Sequence, residues 1–137
     1  MSEQENVAAI RSLYEAFARG DIPYILEQLD ADVEWRAPQT VPFSKGLHRG
    51  PEEVAQFFAG ITEHVSEPRM ETYEFLPAGD RVVVLLCFRG RGLESGVPFE
   101  AREAHVWKLS AGKVVEERTY ADTAAIVQAL QATPAAV

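Results

Sequence analysis

From Ala101 to Leu109, and again from Val114 to Thr123, side chains alternate with the period of two that a half-buried strand requires. The polar, glycine-bearing Ser110-Ala-Gly-Lys113 between them predicts a tight turn. That alternation sets Glu103, His105 and Trp107 on one face of the first strand, and Val115, Glu117, Thr119 and Ala121 on one face of the second. Upstream the period changes to that of a helix. Ser2 with Glu5 makes a capping box, and Val7, Ile10, Leu13/Tyr14 and Phe17 recur at helical spacing until Gly20 closes the helix. Asp21 caps a second helix with Pro23 in its first turn and Ile22, Ile25, Leu26 and Leu29 as its stripe. Asp32–Ala37 alternates as a short strand, Pro38–Gly50 reads as loop, and Pro51 restarts a helix with Val54, Phe57, Phe58 and Ile61 inward.

Strand signals follow over Arg69–Leu76 and Arg81–Gly90, joined by the turn Pro77-Ala-Gly-Asp80. The stretch Gly90–Pro98 reads as a connection or a bulged strand end. Asp122 caps a final helix with Ile126, Val127 and Leu130 inward, and residues 132–137 form a loose tail. Helices first and mostly antiparallel strands afterwards predict one α+β domain over residues 1–131. In it, three N-terminal helices pack on a curved, cone-shaped sheet, and a ligand cavity lies in the concavity between them.

Charge narrows the partners. A net charge of −8 repels phosphate backbones and anionic lipids, so neither nucleic acid nor a membrane surface is an expected partner. No run approaches a membrane span, and the acidic N-terminus has no apolar core of a signal peptide. The single Cys87, inside the run Val82–Phe88, cannot form an intrachain disulfide and reads as a small buried hydrophobe. A cytoplasmic location is the expectation.

His105 is the leading candidate for chemistry, because a histidine can donate or take a proton near neutral pH. Glu103, two residues away on the same face, can orient or charge the imidazole; the alternative is an ion pair with Arg102 or Arg118. Tyr14, Trp35, Phe58, Trp107, Glu117 and Thr119 are the candidate substrate contacts. For Tyr14 the competing role is core packing with a satisfied hydroxyl. Glu117 is the alternative carboxylate base if the pocket is deep there, and its competing role is a solvated rim of the sheet. Asp122 is assigned to helix capping. His48 and His64 lack i, i+4 partners, so no metal site is expected, and no cofactor either.

Tyr14…Gly20-Asp21, Asp32-Val-Glu-Trp35, Gly50-Pro-Glu-Glu-Val54…Phe57-Phe58 and Gly112-Lys-Val-Val-Glu116…Tyr120-Ala-Asp122 together resemble the nuclear transport factor 2-like superfamily. Within it, the chain is most similar to SnoaL-like and ketosteroid isomerase-related proteins, from about Glu5 to Leu130. The resemblance implies the cone-shaped fold and pairing of sheets into a homodimer. Its catalytic roles transfer unevenly. The position of the isomerases' base holds Trp35, that of their protonated acid falls near His105, and that of their tyrosine near Tyr14. The Arg-x-Asp of limonene epoxide hydrolases falls on Glu103-Ala-His105. The further Asp of those hydrolases, and the base of SnoaL-like cyclases, fall near Thr119. None of the three sets is intact, and the fold hosts many reactions. Two classes of function follow. One is a cofactor-free acid–base enzyme acting on a small apolar, cyclic or carbonyl-bearing molecule. The other is a non-catalytic ligand-binding or dimerisation domain.

Overall fold

The computed structural model describes residues 1–133. Of the expected loose tail, residues 134–137 lie outside the described residues. The chain begins with α1 (Glu3–Ala18), α2 (Ile22–Glu27), β1 (Leu29–Arg36), β2 (Leu47–Arg49) and α3 (Gly50–His64). It continues through β3 (Val65–Ala78), β4 (Arg81–Gly92), β5 (Pro98–Ser110), β6 (Lys113–Ala121) and α4 (Thr123–Gln131). The strands form one curved, open sheet in the order β2-β1-β6-β5-β4-β3, antiparallel throughout except for the parallel pair β1–β6. The α+β class expected from the sequence is the class found.

Local chemistry accounts for the element ends. Ser2 and Glu5 exchange the two bonds of the capping box, each at 3.0 Å. Gly20 takes φ +74°, the left-handed conformation that ends α1. Asp21 and Asp122 accept from Tyr24 and Ala125 backbone amides and cap α2 and α4. Pro68 and Pro77 both fall in β3, which tolerates them because β3 is the edge of the sheet.

Inner faces meet around one core. Ile10 and Leu13 of α1, Val54 and Ile61 of α3, Val82, Val84 and Leu86 of β4, and Ile126 of α4 are each 3% exposed or less. Cys87 is free and buried, as the run around it implies.

Five expectations need correction. Leu29 does not belong to the stripe of α2 but opens β1, which ends at Arg36. The segment 38–50 is not all loop: Leu47–Arg49 pairs antiparallel with β1. The strands at 69–76 and 81–90 are longer than their apolar runs, because ladder pairing carries them through polar positions to Val65–Ala78 and Arg81–Gly92. Val115 does not share the inner face with Glu117. A register shift between Lys108 and Leu109 pairs Glu116 with Lys108 and Val114 with Leu109, so Val115 is the bulged residue and Val114 turns inward. At the C-terminal helix, Ile126 and Ala129 are buried, while Val127 and Leu130 are only partly covered.

Candidate functional site

The concavity holds a hollow with about 60 Å³ of space open to water centres. One water needs roughly 10–15 Å³ of this measure, so the hollow admits a few waters. Aromatic side chains dominate its wall, among them Trp35, Phe43, Phe57, Phe58, Phe88 and Trp107. Trp35 stands edge-on to Trp107 and to Phe58, with ring centroids 5.3 and 5.6 Å apart.

Polar groups on this wall come from a few positions. Tyr14 belongs to the inner stripe of α1, one turn after Ile10, and its ring stacks at 14° to the His105 imidazole. Trp107 Nε1–H donates to Tyr14 Oη at 2.8 Å. Tyr14 Oη lies 2.7 Å from His105 Nδ1, and His105 Nε2 lies 2.8 Å from Glu103 Oε1. The glutamate therefore leans along its own strand and reaches the imidazole directly. It pairs with neither Arg102 nor Arg118.

The ends of this chain fix its direction. An indole can only donate and a carboxylate can only accept. With neutral imidazole, His105 Nε2–H donates to Glu103 and Tyr14 O–H donates to Nδ1, leaving Tyr14 Oη to accept from Trp107. Burial pulls the His105 pKa down, but the hydrogen bond and charge of Glu103, with the charge of Glu117, outweigh it and leave it raised. Burial also lifts the Tyr14 hydroxyl well above its ordinary value. The Trp107 bond opposes that rise, and the two glutamates reinforce it.

Trp35, Phe58 and Thr119 line the cavity together with Glu103, Tyr14, His105 and Trp107. Glu117 does not. It is neither a rim residue nor a wall residue but 0% exposed, set between Trp107 on β5 and Trp35 on β1, its register partners. Thr119 Oγ1 donates to Glu117 Oε1 at 2.6 Å. Burial pushes the Glu117 carboxyl up to about 7. His105 and the Thr119 bond work against this, and Glu103 adds to it.

Sequence reasoning missed the part of the wall built by the loop after β1. Pro38, Val41 and Phe43 fold over the cavity. Ala37 N donates to Gly46 O at 2.9 Å and Ser44 Oγ to Ala37 O at 3.0 Å, closing the loop on itself. The available signal was the buried-type residues Val41 and Phe43 inside a proline- and glycine-bearing stretch. Met70, Phe88, Thr123 and Ile126 were missed as well. His48 lies on β2, buried, 3.4 Å from Ser44 Oγ, and His64 Nδ1 lies 2.9 Å from the Gly60 carbonyl oxygen. Among the described residues no group of three His, Cys, Asp or Glu could hold a metal ion, and no helix is long and apolar enough to cross a membrane.

Comparison with known proteins places this geometry. A protein of unknown function from Burkholderia pseudomallei, described as NTF2-like, is 33% identical over 96% of this chain and all of its own, with a TM-score of 0.87. TerC, crystallised with polyporic acid, is 28% identical over 93% of this chain and 99% of its own, with a TM-score of 0.85. A candidate SnoaL-like polyketide cyclase from Jannaschia sp. CCS1, 20% identical, shares the fold with a TM-score of 0.81 over 96% of this chain and 94% of its own. No curated protein matches the chain. The family model of the SnoaL-like domain matches residues 10–117. With that match across most of its length, the chain belongs to the SnoaL-like domain family, on the nuclear transport factor 2-like fold.

Proposed function

We propose that the cavity binds a flat, apolar, cyclic or carbonyl-bearing small molecule and performs general acid–base chemistry on it without a cofactor. The observation that carries this reading is the unbroken hydrogen-bond chain Trp107–Tyr14–His105–Glu103 on the wall of a mostly apolar hollow. A proton added to His105 reverses its bond with Tyr14. Nδ1–H then donates to Tyr14 Oη, which already accepts from Trp107, and the Tyr14 proton is released to donate to a ligand oxygen. Glu103 holds the imidazolium in place, and its hydrogen bond and charge favour that state. His105 is thus the proton source and Tyr14 the group that delivers or stabilises.

A ring-shaped ligand suits the aromatic wall, and the relative crystallised with polyporic acid supplies the first compound to try. The test is a panel of polyporic acid, cyclic ketones, enones and epoxides, assayed with wild type, His105→Ala and Glu103→Gln. Turnover is expected on at least one member. His105→Ala should lose about 10²–10⁴-fold, the share of one general acid–base group. Glu103→Gln should lose less, because it keeps shape and removes charge. Turnover unchanged in His105→Ala overturns the assignment.

The second reading is a non-catalytic ligand-binding domain. One observation favours it: Tyr14 and both ring nitrogens of His105 already have partners inside the protein and need none from a ligand. Tight binding of polyporic acid with no turnover of any compound would decide for it.

A further inference from the structure

Glu117 takes no part in the chain from Trp107 to Glu103, yet it is the most deeply buried acid in the fold, 0% exposed. Among the described residues only one donor meets it, Thr119 Oγ1 at 2.6 Å, and neither its second oxygen Oε2 nor the indole Nε1 of Trp35, on the register-paired residue of β1, has a partner. A buried carboxylate with so few donors gains by taking up a proton, and burial accordingly raises its pKa to about 7. The titratable groups around it are Glu103 and His105 of β5 and Tyr14 of α1. Glu117 is absent from the cavity wall, whereas Thr119 is on it, beside its cross-strand partner His105. A threonine hydroxyl has one proton and two lone pairs. With the proton given to Glu117, the lone pairs are free to accept.

We propose that Thr119 and Glu117 form a proton relay that carries the proton of a ligand hydroxyl, on a phenol or enol, into the protein interior. This rests on the reading of the cavity as an acid–base site and names its substrate class. The ligand O–H bond breaks as its proton bonds to Thr119 Oγ1, and the Thr119 O–H bond breaks as its proton bonds to Glu117 Oε1. The ligand becomes an oxyanion, Thr119 stays neutral and now donates to that oxyanion, and Glu117 becomes a neutral acid. Negative charge leaves a carboxylate with one donor for an oxygen facing Thr119 and next to His105. Aliphatic alcohols hold their protons too tightly for an acceptor of this strength, whereas phenols and enols match it. Glu117 acts only through Thr119 and is a positioning residue.

The probe is 3-nitrophenol, mostly protonated just above neutral pH and distinguishable from its phenolate by absorbance. Binding to wild type is expected to raise phenolate absorbance. The infrared difference spectrum should gain one protonated carboxyl band per bound ligand. Thr119→Ser should keep both signals. Thr119→Val and Glu117→Gln should still bind the probe, as the neutral phenol and without the band. Should Thr119→Val fail to fold, Glu117→Gln tests the relay by itself. Phenolate formation in either of those variants at the wild-type level overturns the relay. So does wild type holding the probe as phenol, although the acid–base reading then stands. Wild type that binds neither 3-nitrophenol nor polyporic acid overturns both.

Discussion

His105 places both ring nitrogens in hydrogen bonds, one to a residue two positions away and one to a residue on a helix at the far end of the chain. The first contact was legible from alternation alone, because i and i+2 share a face. The second was not, because Tyr14 and His105 have no local signal linking them and meet only when α1 packs across β5. The depth of Glu117 was equally hidden. Alternation points it inward, but its complete burial, between the register partners Trp35 and Trp107, appears only in the fold. His105 and Glu117 both contribute to the pH dependence of stability. A carboxyl raised from 4.5 to about 7 on folding binds more protons folded than unfolded across that window. Its contribution is therefore lost as pH rises from about 4.5 to about 7, at most about 3 kcal/mol. His105, also raised, contributes stability that is present below its unfolded value and lost on further alkalinisation. Thermal melts between about pH 5 and pH 8 should show wild type falling more steeply than Glu117→Gln. Parallel curves would contradict the burial of that acid.

At the scale of elements, periods wrote the helices into the sequence, with side-chain caps at α1, α2 and α4, and the faces of β5 followed from strict alternation. What alternation cannot show is a bulge. The extra residue at Val115 exchanges the faces of Val114 and Val115, and nothing in two adjacent valines distinguishes them. The loop after β1 escaped for a related reason, since Val41 and Phe43 enter the cavity wall without any period. Close approach of strands also leaves a mark at Gly90 of β4. A Cβ there would stand 2.6 Å from Val65 Cγ1 and 3.1 Å from Phe99 Cζ. Gly90→Ala should cost about 1–3 kcal/mol in denaturant unfolding, the usual range for overpacking. A cost near zero would mean that the start of β3 yields freely at this point.

On the scale of the whole molecule, the sheet covers its inner face with helices and leaves the other to solvent. The exposed surface includes Leu76 on β3, 43% exposed, and Tyr120 on β6, 58% exposed and two residues from Arg118. Val114, which strict alternation with Glu117 would turn outward, belongs instead to the core. We propose that this outer face pairs two copies into a homodimer. Light scattering should give twice the chain mass at micromolar concentration, and Tyr120→Glu should shift it toward the monomer. A monomer in wild type would contradict the pairing. A crystal structure of the protein grown with polyporic acid shows whether the Trp107–Tyr14–His105–Glu103 chain serves a ligand in the aromatic hollow. The compound is expected between Trp35 and Trp107, with one oxygen within hydrogen-bond distance of Tyr14 Oη. A compound bound elsewhere, or one lying in the hollow with no oxygen near Tyr14, His105 or Glu103, would contradict it.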